Sequence, residues 1–316
     1  MKFGAKYILT LTMAAAVWAG AAEADAKPKG EITEVKPGVN TVTVSNPQQA
    51  LQDDIEVSSL VFYQELRLLE AGQAVEDCLF GRNSFASAQK TVAQCRQQGE
   101  KLNGKLQQYQ SQHPNELARV ALQLWEKRRE ILIKMEKLLQ SGKIERPALR
   151  AFQEQNGELT QEVVVKWLGT KEKWSRAGIQ QSSPLARQYY EWQMIAVPVQ
   201  KQMCIYSQSL LELSSALANG KKVSAQDAKN IQISIAVLKN SLTKQHTAKN
   251  VQDAHRALIN EVTALGRLAE AIALLSQDRS QDASARVERC NKQLRRASLR
   301  SGQTALEALK SCRAKP

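Results

Sequence analysis

A row of basic side chains near the end of the chain suggests a definite chemistry. Arg289, Lys292, Arg296 and Arg300 are separated by three, four and four residues, which aligns them along one face of a helix. Guanidinium and ammonium groups in such a row can hold phosphates or sulfates by charge-assisted hydrogen bonds. The row therefore predicts an anion-binding face. The alternative is a helix surface that these side chains merely keep solvated.

The cysteines are the second set of residues with possible chemistry. The chain contains Cys78, Cys95, Cys204, Cys290 and Cys312. In an oxidising compartment, cysteines form disulfides wherever their geometry allows it, so all five are disulfide candidates. Because five is an odd number, one thiol would stay free or bond to another molecule. The alternative is five buried, reduced thiols.

Spacing limits which cysteines can pair. If one helix contains both Cys290 and Cys312, their 22-residue separation places them about 33 Å apart, whereas a disulfide needs α-carbons within about 7 Å. A turn at 301–302 would instead form a helical hairpin and bring the two sulfur atoms side by side. We favour the continuous helix, because a mid-helix glycine costs only about 1 kcal/mol. A bond between Cys78 and Cys95 is also disfavoured, since Cys95 lies on an apolar helix seam and should point inward.

No motif predicts catalysis or metal binding. The chain lacks Cys-x-x-Cys pairs, a Gly-x-Ser-x-Gly elbow, a Walker loop and a dinucleotide-binding glycine pattern. His113, His246 and His255 are not spaced as metal ligands. The acidic side chains within 126–136 alternate with basic ones, which is typical of a solvated ion-pairing surface. We therefore predict no catalytic residues, no metal ion and no cofactor.

The first 26 residues have the layout of a bacterial secretory signal peptide. Lys2 and Lys6 precede a mostly apolar run over 7–20, and small residues occupy both key positions of Ala24-Asp25-Ala26. The run is shorter than the ~20 residues of a membrane span. We expect cleavage after Ala26 and a periplasmic or extracellular protein. The alternative is an uncleaved N-terminal anchor.

The charge balance favours negatively charged partners. The chain has 44 Lys and Arg against 31 Asp and Glu, a formal net charge of +13. Such an excess promotes association with polyanions, although a solubilising role alone is the alternative. Nucleic acid is not expected as the partner of an exported protein, and no second apolar run of membrane length follows the first.

Residues 27–51 are predicted to be a flexible leader with one short strand at 41–44, because prolines interrupt this segment. Apolar residues then recur at steps of three and four in several stripes, which predicts amphipathic helices. Arg128 is the one polar interruption in the stripe over 117–139. The predicted fold is all-α, with antiparallel helical bundles and coiled-coil-like seams, and Pro198 should kink or break one helix. About eight helices are expected, near 53–80, 84–111, 115–141, 147–168, 184–218, 225–245, 249–277 and 282–312.

The segment 169–183 has two glycines and no apolar stripe, so we predict a long connection there. It would separate two helical halves, 52–175 and 184–316, and the second half ends in the basic helix. Aromatic residues flank this connection and could line a pocket between the halves or simply pack in the core. These residues are Trp167, Trp174, Tyr189, Tyr190 and Trp192.

These features predict an exported, non-catalytic helical protein for binding, scaffolding or assembly in the bacterial cell envelope. Its expected partner is an anionic envelope polymer or another protein, and its oligomeric state is left open. One alternative is a sensory or small-ligand-binding bundle. A second alternative is a helical envelope hydrolase.

Overall fold

The computed structural model describes residues 46–144, 146–181, 183–218, 221–278 and 280–313, and within 146–162 it describes the side chains of 148 and 152 alone. The predicted signal peptide, the strand at 41–44 and the leader up to residue 45 lie outside these residues. Within them no helix has an apolar stretch long enough to cross a membrane.

The described residues form eight α-helices and one short 3-10 helix, Lys249–Val251, with no β-strand, which confirms the all-α prediction. The α-helices are α1 Pro47–Leu79, α2 Phe85–Gln112, α3 Glu116–Gln140, α4 Arg146–Gln181, α5 Pro184–Ala218, α6 Ala225–Thr243, α7 Gln252–Gln277 and α8 Gln281–Lys310.

Helices that follow one another in the chain pack side by side and run antiparallel. Between α1 and α2, Arg67 Nη1 donates to Gln98 Oε1 at 2.8 Å and the Cys95 thiol lies 3.8 Å from a Glu70 oxygen. Moving along α1 from Arg67 to Glu70, the contacts on α2 therefore move back from Gln98 to Cys95, as they do in an antiparallel pair. The helix α1 also packs against α3 and α8, so it contacts the end of the chain as well as its neighbours.

The apolar seams meet in the core as the sequence pattern indicates. The largest buried cluster includes side chains from every helix, for example Ala50, Leu106, Leu117, Val164, Tyr190, Ile235, Leu258 and Leu294. A second cluster fills the space between the end of α1 and helices α2, α3 and α4. Residues from both predicted halves therefore share the main core.

Two predicted helix boundaries are wrong. The helix α1 begins at Pro47 rather than near residue 53, because Asn46 caps it by accepting hydrogen bonds from two backbone amides and proline suits the first helical turn. The predicted connection at 169–183 is helical as far as Gln181. A methyl group at Gly178 would lie 2.5 Å from two ring atoms of Tyr190, so this glycine permits close packing inside the helix.

The last helix is continuous. No turn occurs at 301–302, because α8 extends unbroken from Gln281 to Lys310. The helix α5 likewise continues through Pro198, so the proline does not break it.

Gly99 offers a direct test of the packing between α2 and α3. A methyl group there would lie within 2.5 Å of two ring atoms of the buried Trp125. We expect Gly99→Ala to lower the free energy of unfolding by about 1–3 kcal/mol, because the indole cannot move without disturbing a close-packed core.

Gly104 of the same helix is the matched control, since nothing lies within 4 Å of a methyl group built there. Gly104→Ala should raise the stability by up to about 1 kcal/mol. Urea unfolding followed by circular dichroism measures both variants. Equal stability of the two would contradict the proposed contact.

Candidate functional site

Three members of the basic row extend from α8 into solvent. Arg289, Arg296 and Arg300 are exposed, and none of them forms an ion pair with another described residue. Their spacing of seven and four residues extends about 16 Å along the helix. We call these three residues the arginine face.

The fourth member of the row, Lys292, is half-buried and paired with an acid of the same helix. Lys292 Nζ lies 2.8 Å from Glu288 Oε1, and Arg82 from the loop after α1 binds the same carboxylate. Burial alone would raise the pKa of Glu288, but hydrogen bonds from Lys292 and Arg82 outweigh this effect and lower it. Lys292 is therefore less available to bind an anion than the spacing predicts, because Glu288, one helical turn away, neutralises its charge.

The structure contains no disulfide, so the disulfide prediction is not met: all five cysteines are buried and unbonded to one another. Cys95 points inward, as its place on the seam predicts, and lies beside Glu70. Cys78 is eight residues beyond Glu70 on α1, which places it roughly 12 Å along the helix from Cys95. Cys290 lies within the continuous α8, nine residues after its first residue, whereas Cys312 lies just after its last residue, and Cys204 is buried in α5.

The buried thiols are poor nucleophiles. Burial, with a smaller effect of the nearby Glu70, raises the pKa of Cys95 to about 11, and burial raises the pKa of Cys312 to about 11 as well. Burial also raises the pKa values of Cys78 and Cys290. Since the thiolate is the reactive form, these cysteines act as small apolar side chains at neutral pH.

Metal binding finds no support among the described residues, which contain no group of three or more His, Cys, Asp and Glu side chains able to share an ion. The acidic side chains in 126–136 form ion pairs, as predicted: Glu126 with Arg129, Glu130 with Lys127, and Glu136 with Arg96.

A line of buried acids along α1 was not anticipated. Asp54, Glu65 and Glu76 are spaced by eleven residues, about three helical turns, so they lie on one face. Each meets a cation from a different helix. Asp54 pairs with Lys171 of α4, Glu76 pairs with Arg295 of α8, and Glu65 Oε2 lies 3.6 Å from Arg128 Nη2 of α3.

A cavity of about 90 Å³ lies at the centre of this acidic line, between α1, α3, α4, α5 and α8. Both predicted halves contribute to its wall. Polar groups include Glu65, Arg128, Lys171 and Gln193, and the apolar part includes Val61, Leu124, Trp167, Val197 and Leu306.

Glu65 is held largely protonated at neutral pH. Burial raises its pKa to about 8, and the buried Glu261 of α7 adds to the effect. Arg128 opposes the shift but does not cancel it, since its nearest nitrogen lies 3.6 Å from the carboxylate. Burial also raises the pKa of Glu261 to about 7, although Ser298 and Ser301 of α8 hydrogen-bond to it.

Two aromatic side chains line the cavity and three pack in the core. Trp167 and Tyr189 belong to the cavity wall. Trp174 Nε1 lies 3.3 Å from the carbonyl of Ala50, and Tyr190 packs on Gly178, while Trp192 is buried in the main cluster. Both roles foreseen for this aromatic group therefore occur.

A carboxyl group with a pKa near 8 in a cavity has the ionisation expected of a general acid. However, the space of about 90 Å³ suits a few waters or a very small molecule better than a glycan chain. The signal for this site in the sequence was Arg128, because an arginine within an otherwise apolar stripe must be buried with a partner. The partner itself could not be read from the stripe.

The chain was compared with protein-family models, curated proteins and solved structures, and none of them gives a match.

Proposed function

We propose that this chain is an exported, non-catalytic helical protein that binds an anionic polymer of the cell envelope through the arginine face of α8. The observation that carries the proposal is the exposure of Arg289, Arg296 and Arg300 without any carboxylate partner among the described residues. Elsewhere on the surface many arginines are paired, for example Arg286 with Glu270 and Arg96 with Glu136.

The chemistry of the arginine face suits phosphate or sulfate groups. A guanidinium group presents a planar fork of N–H donors that matches such oxyanions. Three forks along about 16 Å of a rigid helix can contact several repeats of a linear polymer at once. The net charge of +13 would increase the rate of encounter with a polyanion.

Binding of this kind releases counterions and should weaken steeply with salt. We expect the triple variant R289Q/R296Q/R300Q to bind immobilised heparin, used as a sulfated probe polymer, at least about threefold more weakly, because each exposed ionic contact contributes roughly 0.2–1 kcal/mol. The variant should also elute at lower salt.

The matched control is K90Q/K101Q/K105Q, which removes three exposed lysines of α2 that form no ion pair with any residue the structure describes. Its net charge equals that of the arginine variant. Elution of both variants at the same salt concentration would show that only total charge matters and would reject the arginine face as a binding site.

A further inference from the structure

The outer side of α6 carries the two most exposed large apolar side chains in the part of the chain that the structure describes. Ile233 and Val237 are 60% and 64% exposed. They lie four residues apart and therefore share one face of the helix. Ile235, between them in the sequence, is buried on the opposite side against α7, where a methyl group at Gly266 would lie 3.3 Å from its Cγ2. The fold thus buries one side of α6 and leaves an apolar pair on the other.

This outer face is also free of charge. Between 230 and 241, a stretch that the structure describes in full, every exposed residue is uncharged, and Lys239 is half-buried. We call the exposed residues the α6 patch, and they are Asn230, Ile233, Ala236, Val237, Asn240 and Ser241. Because the chain has a net charge of +13, a second positively charged molecule meets less repulsion at such a patch than on a basic face. Apolar exposure of this kind is typical of a protein–protein contact.

The α6 patch is symmetric about Ile235. Ile233 and Val237 lie two residues before and after it, and Asn230 and Asn240 lie five residues before and after it. If a second α6 packs antiparallel at this level, Ile233 of each copy meets Val237 of the other, and Asn230 meets Asn240. One surface then serves both copies, as a two-fold interface requires. Asparagine pairs beside an apolar pair can also fix the register of packed helices.

The residues that flank the apolar pair suit the same arrangement. Ser234 and Ala236 would each face their own counterpart across the two-fold axis, and their small size lets the two helices approach closely. Lys229 would lie opposite an uncharged threonine, and Lys244 would lie beside Asp227 of the other copy, which is an attractive pair. Antiparallel pairing therefore brings no two lysines of α6 face to face.

We propose that the α6 patch binds a second copy of this chain, with the two α6 helices antiparallel across a two-fold axis near Ile235. The contact extends over about three turns of each helix, so it is smaller than the roughly 1,200 Å² that stable complexes bury. We expect a dissociation constant on the order of 10–100 µM. The proposal does not depend on anion binding by α8.

Sedimentation equilibrium of the purified protein between about 5 and 500 µM tests this contact. The mass should rise from that of one chain towards that of two. I233Q/V237Q should weaken the association at least about tenfold, because it removes both apolar side chains without changing the charge. Both positions are exposed, so the midpoint of urea unfolding at low protein concentration should stay the same.

Y63Q/L185Q is the matched control, since it removes two other exposed side chains, which are 43% and 47% exposed. This variant should associate as the unmodified protein does. Equal weakening by the two double variants would indicate unspecific apolar association and would reject the α6 patch.

Cysteine cross-linking tests the orientation. In the antiparallel pair, position 230 of one copy meets position 240 of the other, whereas the two residues at 230 lie about 15 Å apart along the helix axes. A disulfide needs α-carbons within about 7 Å. Mild oxidation of a mixture of Asn230→Cys and Asn240→Cys chains should therefore give covalent dimers, and either variant alone should give few. The five native cysteines are buried, so the unmodified chain serves as the blank.

Salt distinguishes this contact from binding at the arginine face. Screening reduces the repulsion between two chains of charge +13, so the dimer should become tighter between about 0.05 and 0.3 M NaCl. Binding of a polyanion should weaken over the same range. The two proposals can thus fail independently.

Three further results would overturn the proposal. A protein that stays monomeric at about 500 µM would leave the α6 patch to a different partner. A dimer that persists in I233Q/V237Q would place the contact elsewhere on the molecule. Cross-linking of Asn230→Cys alone as efficient as that of the mixture would reject the antiparallel arrangement.

Discussion

The free energy of unfolding of this protein should fall as the pH rises from about 5 to about 8. Glu65 and Glu261 contribute to this trend, because their pKa values in the folded protein are about 8 and about 7 against an ordinary value of 4.5. Both groups are buried and stay protonated in the native state over a range in which the unfolded chain has already lost these protons.

The direction follows from proton binding. Between pH 4.5 and 8 the native state holds more protons than the unfolded state, so a rise in pH favours unfolding. Each group contributes up to about 1.4 kcal/mol per pH unit within its own range. The two together should lower the stability by several kcal/mol. The stabilisation by these two protonated groups is complete below pH 4.5 and is lost as the pH rises through their native pKa values of about 7 and about 8.

Denaturant unfolding at about pH 5, 6.5 and 8 measures this effect, in a range where the buried thiols remain protonated. The double variant E65Q/E261Q should show a much flatter dependence, because amide groups do not titrate. Glu126→Gln is the control, since Glu126 lies on the surface and should leave the slope unchanged. A wild-type stability that is constant or rises from pH 5 to 8 would contradict the prediction.

Replacement of Arg295 by methionine should destabilise the protein by about 3–5 kcal/mol, because it leaves the fully buried Glu76 without its cation. Burial already raises the pKa of Glu76 even though Arg295 lies beside it. The carboxyl group of the variant would have to take up a proton or draw water into the core. Thermal and urea unfolding near pH 7 measure the loss.

Arg286→Met provides a control on the same helix. Arg286 lies 2.7 Å from Glu270, but both side chains are about 45% exposed, so the loss should be about 1 kcal/mol or less. The double variant E76M/R295M should recover most of the stability, since two apolar side chains of similar size can replace a buried pair. If R295M were no less stable than R286M, the buried pair would have no structural importance.

Much of the helical architecture could be predicted because its signals are local. The seam over 85–109 places Ala88, Val92, Cys95 and Gly99 in the interior, as its three–four spacing indicates. Ser224, which directly precedes a helical pattern, caps its helix by accepting a backbone hydrogen bond. The unbroken α8 also follows from local energetics, since one glycine costs too little to force a turn.

The errors arise where distant packing decides the meaning of a residue. Gly178 resembles a helix end in the sequence, yet it is needed because Tyr190, on the next helix, packs against it. Pro47 resembles a helix breaker, although it begins α1 after the cap at Asn46. Glycine and proline each have two opposite uses, and a local pattern does not distinguish them.

The candidate sites were predictable to different degrees. The exposed positions of Arg289, Arg296 and Arg300 follow from helical spacing alone. The pairing of Lys292 with Glu288 also follows from local spacing, because Glu288 lies four residues before Lys292 and no other acid lies within one helical turn of it. The cavity brings together side chains from five helices, so no stretch of sequence contains it, although Arg128 marks its place within an apolar stripe.

The acids of α1 have a consequence for biosynthesis. The ribosome makes this helix first, but the basic residues that compensate Asp54, Glu65 and Glu76 belong to α4, α3 and α8. A nascent chain that stops before α8 therefore lacks Arg295, the cation that pairs with the buried Glu76. Premature termination should thus yield a polypeptide that remains protease-sensitive, and the native state becomes attainable only once translation has delivered the final helix.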